Sequence, residues 1–481
     1  MKSILARSLS TVLALVGTSF LLPMFVAGWY GEWRNLADFG VPLVISWTLA
    51  VWFARRSRGR VRLVGAQNAF MIVGSVWVAI GIFGAWPFYA SGCFPGLVDA
   101  IFESVSGFTT TGASVLSDVE ALPKCINFWR CQTHWLGGMG VIALAVALIP
   151  LLGVGAFRLI QAETSGPEKG KLTSRIGDTA RVLWLIYFVL TVVQAVALHW
   201  VGMGWFDAVC HAFSTMGTGG FSTRNASLGA FASPAAEWIC TLFMVLASVN
   251  FGVYYAVCAG KWAEVRDNTE LRGFVFLLVP VIAALTLFEL PQFGSTSASL
   301  RNAAFQVASI VSTTGFMTSD FTCWTSAAQM VILLLFLVGG CSGSTAGGIK
   351  VIRWSILAKA LRNDIMKLLH PHGVFTLRVN GTPAKREIVS VVGSFIFVYM
   401  IVVFATALAG AVCGLDVPTA FTAALSMVGN VGPAFGSLGP AQNYGAIPDA
   451  LKIVYCIAML AGRLEIYTLM ILVGQSLSRP K

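Results

Sequence analysis

The chain has 481 residues, 57% of them hydrophobic and only 11% charged, with a formal net charge of +11. A soluble globular domain carries about 25% charged residues, so this composition excludes one and points to a membrane protein. The excess charge lies in short loops between apolar blocks, which excludes a nucleic-acid footprint; anionic lipid headgroups are a sufficient partner for it.

A bilayer core of roughly 30 Å needs about 20 apolar residues per helix, and the pattern predicts ten spans. The first two lie near 8–30 and 39–54, joined by an outer loop with Glu32, Arg34 and Asp38. Lys2 and Arg7 before an apolar run resemble a signal peptide, but the run continues to about Tyr30 without a small-residue cleavage site. It therefore reads as a retained helix. Eight further spans follow as four pairs, near 66–90 and 127–152, 180–201 and 236–260, 273–291 and 325–340 onward, and 388–413 and 449–475. The expected organisation is two helices over 1–62 and four units over 63–160, 161–266, 267–380 and 381–481.

Basic residues cluster on one side of this layout: Arg55, Arg56, Arg58, Arg60 and Arg62, then Lys169, Lys171, Arg175 and Arg181, then Lys261, Arg266 and Arg272, then Lys350 to Arg386. Placing these loops and both termini in the cytoplasm puts 25 of 32 basic residues inside. Arg34, Lys124, Arg130, Arg224 and Arg301 fall outside, and Lys452 and Arg463 lie in or near the last helix. This asymmetry sets the orientation.

Within each pair lies a stretch too polar to span and too apolar for an ordinary loop: Asp99 to Gly112, Asp207 to Gly220, Asn302 to Gly315 and Thr419 to Gly432. Aligned on the final glycine, each begins with a residue of the N-cap set, followed by alanine. A serine stands six before the glycine in all four (Ser106, Ser214, Ser309, Ser426), and the glycines recur at spacings of 108, 95 and 117 residues. Such an internal repeat predicts four re-entrant hairpins around one axis, because non-helical backbone at membrane depth must be buried or line a water-filled cavity.

The helical part of each hairpin would direct its partially negative C-terminal end toward a central cation. The returning segments would offer carbonyl and hydroxyl oxygens in place of an ion's hydration shell. They are Thr110, Thr111 and Gly112; Thr218, Gly219 and Gly220; Thr313, Thr314 and Gly315; and Asn430, Val431 and Gly432. No acid flanks these glycines, so the oxygens are neutral and suit a large monovalent cation, potassium over sodium. Plain turns between helices are the alternative reading of each segment taken singly.

The third pair breaks into Gly339-Gly-Cys-Ser-Gly-Ser-Thr-Ala-Gly-Gly348. Five glycines in ten residues, each costing about 1 kcal/mol relative to alanine, cannot continue a stable helix. A polar loop beneath the filter, with Gly340, Ser342, Gly343, Ser344, Thr345, Gly347 and Gly348, reads as a gate; a close-packing hinge is the alternative. Arg463 in the last span needs partners or water. Carbonyls of this loop are the expected partners, and snorkelling to the cytoplasmic face is the alternative; Glu465 points to another face. Neither the nucleotide-binding G-x-x-x-x-G-K-[ST] nor the G-x-S-x-G spacing occurs in the loop. His134 and His211 read as packed or hydrogen-bonded, and His370 and His372 form no metal pattern. The ten cysteines show no ligand spacing, although Cys93 and Cys125 share the outer side, where a disulfide is permitted. No cluster of His, Asp or Glu suggests an enzyme.

Thr109-Thr-Thr-Gly112, Thr218-Gly-Gly-Phe221, Thr313-Thr-Gly-Phe316 and Asn430-Val-Gly-Pro433 resemble the filter segments of the Trk/Ktr/HKT superfamily of potassium transporters. The Gly339–Gly348 loop before Ile-Lys, and Gly462-Arg-Leu-Glu465, are similar to that family's intramembrane loop and facing arginine. The two extra amino-terminal spans favour its TrkH/TrkG branch over the shorter KtrB branch. The resemblance implies an all-α membrane protein with four M1–P-loop–M2 repeats around a central pore plus two N-terminal transmembrane helices. It implies potassium uptake across the bacterial inner membrane, a homodimer, and a cytosolic TrkA-type nucleotide-binding ring docked on 350–386. An H⁺- or Na⁺-coupled potassium symporter is the second reading; it calls for midplane titratable groups, of which the chain offers few beyond Arg463 and Glu465.

Overall fold

The computed structural model describes residues 2–57, 66–148, 176–384 and 387–464. Arg58, Arg60, Arg62, Lys169, Lys171, Arg175, Arg386, Glu465, Arg479 and Lys481 lie outside that set. The fold is helical; among the described residues the only sheet is a two-stranded hairpin, Arg378–Val379 with Thr382–Pro383.

Helices α1 (Lys2–Ser19), α2 (Leu21–Tyr30) and α3 (Leu36–Arg56) form the amino-terminal pair of spans. Four units follow. The first has α4 (Ala66–Ala90), short α5 (Leu97–Phe108) and α6 (Lys124–Leu148). The second has α7 (Ile176–Trp200), short α8 (Trp205–Met216), α9 (Pro234–Ser248) and α10 (Phe251–Cys258), with α11 (Trp262–Arg266) after it. The third has α12 (Thr269–Phe293), short α13 (Thr296–Val311), α14 (Ser326–Leu335) and α15 (Val351–Leu369). The fourth has α16 (Glu387–Val412), short α17 (Val417–Gly429) and α18 (Asp449–Arg463).

In every unit the first helix packs on its own short helix: α4 on α5, α7 on α8, α12 on α13, α16 on α17. The closing helix of three units packs on the short helix of the next: α6 on α8, α9 on α13, and α18 back on α5. The units therefore close into a ring. The first helices turn apolar side chains outward, with Phe276, Leu287, Phe397 and Leu408 two-thirds or more exposed, as a lipid-facing surface requires. The short helices are buried over most of their length, from the second turn onward above all.

Six helices among the described residues are long and apolar enough to cross a membrane, or seven counting a bent pair, against ten predicted. The differences fall on the closing helices. The predicted 236–260 span bends by 92° between α9 and α10. The 325–340 span stops at Leu335, and α18 is described only to Arg463. These helices face the ring, where polar and glycine positions displace the apolar run that a hydropathy reading needs.

The expected N-caps are also displaced. The short helices start earlier, capped by Gly96, Gly204, Ser295 and Asp416. Asp99 and Asp207 lie instead in the first turn, where a carboxylate still complements the positive end of the helix dipole. All ten cysteines are free; Cys125 is buried and its N–H donates to Glu32 Oε2 at 2.9 Å. Arg130, counted on the outer side by sequence, is 1% exposed and pairs with Glu103.

Candidate functional site

Each short helix ends in the same way. The chain turns left-handed at a residue that is not glycine, just after the C-cap in three units and at the C-cap itself in the fourth: Thr110, Thr218, Thr313 and Asn430 have φ of 55°, 54°, 56° and 55°. The next N–H reaches back to the repeated serine: Thr111 N to Ser106 O (2.9 Å), Gly219 N to Ser214 O (2.8 Å), Thr314 N to Ser309 O (2.8 Å) and Val431 N to Ser426 O (2.9 Å). This is the Schellman closure usually made with glycine at the left-handed position. A β-branched residue held there costs of order 1–3 kcal/mol, and three of the four units bear that cost.

The glycine that follows is left-handed too, with φ of 79°, 83°, 78° and 104° at Gly112, Gly220, Gly315 and Gly432. A side-chain carbon at Gly112 would collide with the carbonyl oxygen of Gly219, at Gly220 with that of Thr314, at Gly315 with that of Val431, and at Gly432 with that of Thr111. Each contact joins one unit to the next, and the last returns to the first. Four equivalent carbonyls thus abut four glycines in a closed cycle, and no residue with a Cβ fits at those positions.

Polar side chains brace this cycle. Asn430 Nδ2 donates to Thr111 Oγ1 (3.0 Å) and to Met459 O (2.9 Å), and Thr111 and Thr109 hydroxyls lie 2.8 Å apart. The corresponding Ser312 and Thr314 hydroxyls of the third unit are 2.6 Å apart. The second and fourth units have glycine just before the left-handed residue (Gly217 and Gly429) and no such pair. Tyr444 Oη donates to Gly432 O at 2.8 Å, so the fourth segment already has one carbonyl engaged. His134 stacks on Phe221 with centroids 4.1 Å apart and accepts from Phe221 N at 3.4 Å. His211 bridges Asp207 O and Ser222 Oγ. Among the described residues no group of His, Cys, Asp and Glu is arranged to hold a metal.

Behind the first two segments, Arg130 Nε meets Glu103 Oε1 at 2.8 Å, with both side chains fully buried. Glu103 also accepts from Ser114 Oγ and Val115 N, and Arg130 donates to Ser222 O and lies 4.3 Å above the Phe221 ring. Lys452 pairs with Asp99 (2.7 Å) across the join between the fourth and first units, and Arg301 with Glu237 (2.7 Å) between the third and second. At the outer rim, Asn225 Nδ2 donates to Asp118 (2.8 Å), and this bond holds that carboxyl below its ordinary range. Removing one partner of a buried pair strands the other charge. Glu103→Ala is expected to lower stability by about 3–5 kcal/mol, read as a lower Tm of the detergent-solubilised protein; an unchanged Tm would contradict the bracing role.

The glycine-rich loop lies directly against the ring. It docks into the break between α9 and α10: Cys341 N donates to Ser248 O (2.8 Å) and Phe251 N to Gly343 O (3.2 Å). Its ends are held together by Gly339 N to Ile349 O (2.9 Å) and Val351 N to Gly340 O (3.3 Å). Gly343 and Gly348 are left-handed, with φ of 72° and 68°. Ser344 Oγ donates to Cys341 O (2.6 Å), and Lys350 Nζ donates to Ala346 O. Thr345 Oγ1 lies 3.1 Å from Met216 O and 3.2 Å from Ala247 O, and Gly347 N donates to Thr313 Oγ1 at 2.7 Å. Arg463, 7% exposed, donates through Nη1 to Thr345 O (2.8 Å) and through Nη2 to Gly137 O (3.4 Å).

Two residues here went unread in the sequence. Glu270 accepts from Ser342 N (2.7 Å) and Ile352 N (3.2 Å), clasping both sides of the loop. Asn250 caps α10 through Gly252 N at the helix break. An acid in the first turn of an otherwise apolar span is a visible signal for Glu270. Asn250 inside a predicted continuous helix carries none without the loop that fills the break.

Residues 40–480 match the TrkH family, described as a cation transport protein. The Trk system potassium uptake protein TrkH of Salmonella typhimurium is 37% identical over 478 residues, covering 97% of each chain. That of Escherichia coli K12 is 36% identical over 479 residues, again 97% of each. The Trk system potassium uptake protein TrkG of Escherichia coli K12 is 36% identical over 468 residues, 95% of each. The crystal structure of the potassium transporter TrkH from Vibrio parahaemolyticus superposes with a TM-score of 0.88 at 34% identity, covering 99% of both chains.

Proposed function

The chain belongs to the TrkH family of cation transport proteins, and on that footing we propose that it carries potassium inward through the four-segment ring, gated by the Gly339–Gly348 loop. It acts as a multi-pass transporter of the bacterial inner membrane with both termini cytoplasmic, and not as an enzyme. The observation that carries this reading is the closed cycle of glycines and carbonyls linking all four units.

A dehydrating cation loses its water shell and must regain oxygen ligands at once. Main-chain oxygens of residues 110–112, 218–220, 313–315 and 430–432 supply them without a carboxylate, which favours a weakly hydrated monovalent ion. The short helices end at this ring, so their partial negative ends add to the attraction. Below it, the loop blocks the path and Arg463 repels cations while holding Thr345. Opening requires the loop to leave the α9–α10 break and Arg463 to release it.

The relatives' names place them in a Trk system. We extend to this chain a homodimer and a cytosolic nucleotide-binding ring of TrkA type, seated on the basic α15 and its following hairpin. The test of the reading is growth at limiting potassium of a strain lacking its own potassium uptake. Expression of the chain is expected to restore growth. No rescue with the protein present in the membrane would overturn it.

A further inference from the structure

The four left-handed residues are equivalent in backbone but differ in what their side chains touch. Thr218 Oγ1 donates to its neighbour Gly217 O. Asn430 reaches the first segment and α18. Thr110 Oγ1 is buried with no hydrogen-bond partner. Thr313 Oγ1 accepts from Gly347 N of the loop at 2.7 Å. Thr313 therefore belongs to the ring and to the gate's anchorage at once.

The same stretch of loop is fixed to the other units. Thr345 Oγ1 faces Met216 O, the last carbonyl of α8, and Thr345 O accepts from Arg463. Gly347 packs so closely on Gly429 O that a side chain there would collide with it, and it lies against the Asn430 side chain. Withdrawing residues 345–347 would thus remove contacts from the ends of α8 and α17 and from the left-handed hinge of the third segment. That hinge is held in a costly conformation, so its bond to Gly347 is one of the restraints that keep the third carbonyl in place.

Resting on the ring-and-gate reading above, we propose that Thr313 is a positioning residue that couples the two: opening frees residues 341–343 from the α9–α10 break while Gly347 stays bonded to the Thr313 hydroxyl and restrains the third segment, and where that bond is lost the ring discriminates less well between potassium and sodium. Selectivity and gate anchorage are then linked, and residues of the loop that touch no permeating ion set part of the selectivity. A net hydrogen bond of ordinary strength corresponds to roughly a five- to tenfold shift in a two-state population.

The test uses the full chain in liposomes, with potassium and sodium influx measured for wild type, Thr313→Val, Thr313→Ser and Thr345→Val. Thr345→Val leaves every ring atom unchanged and removes only the loop hydroxyl. The expected result is a roughly five- to tenfold lower potassium-to-sodium ratio in Thr313→Val and Thr345→Val, with higher basal influx, and a ratio restored in Thr313→Ser. Higher influx in Thr345→Val with an unchanged ratio would overturn the coupling and leave the gate intact. A wild type that passes no potassium would instead overturn the transport reading itself.

Discussion

Gly315→Ser is expected to abolish selective potassium uptake while leaving the protein folded. The backbone there has φ of 78°, a region an L side chain enters only at a cost of about 1–3 kcal/mol. The new Cβ would also be driven into Val431 O and to 2.8 Å from Pro433 Cδ. Overpacking in a close-packed site costs about 1–3 kcal/mol more. Both penalties fall on the join between the third and fourth segments, so the cheapest relief is to push the Val431 carbonyl out of register. Displaced by even a fraction of an ångström, that oxygen no longer replaces a lost water with equal strength. Liposomes containing the variant should lose potassium preference by roughly tenfold or more, since 1.4 kcal/mol is a factor of ten. A size-exclusion profile like that of wild type separates this from misfolding. Unaltered uptake and ion preference would remove the third segment from the ring's function.

Arg463→Ala is expected to raise basal flux in the absence of any partner protein. Its Nη1 bond to Thr345 O and Nη2 contact to Gly137 O tie the loop to the first and fourth units. Hydrogen bonds to charged groups contribute about 1.5–3 kcal/mol, so their loss should raise the open population on the order of 10- to 100-fold. Removal of the buried cation also lowers the electrostatic barrier beneath the ring. Arg463→Lys keeps the charge but not the two-pronged reach, and should give an intermediate flux. Flux equal to or below wild type in Arg463→Ala would show that the loop is held shut by other bonds, such as the Glu270 clasp.

The architecture was largely legible in the sequence because it is periodic. Apolar blocks of membrane length and a serine six residues before a glycine, four times over, are local patterns. The serine proved to be the residue whose carbonyl closes each Schellman motif, which explains why its spacing from the glycine is fixed. Register at the other end of the short helices was less legible. Asp99 and Asp207 suit an N-cap and the first turn alike, and only the packing of α5 and α8 decides between them. Two closing helices were misread for a physical reason: hydropathy rewards continuous apolar runs, while α9 and α10 bend by 92° and α14 stops at Leu335 where they meet the loop. The pairs Glu103–Arg130, Lys452–Asp99 and Arg301–Glu237 depend on ring closure, with partners 27, 353 and 64 residues apart. No local pattern announces them. Arg130 consequently read as an outward-side charge although it lies buried behind the ring.

Anomalous diffraction from crystals soaked in rubidium or thallium(I) tests most directly whether this ring holds a dehydrated cation. The account predicts a peak on the axis enclosed by residues 110–112, 218–220, 313–315 and 430–432, in contact with main-chain oxygens, and its loss in Gly315→Ser. Ions found only at surface carboxylates such as Asp118 and Glu120, with the ring empty in the wild type, would contradict it.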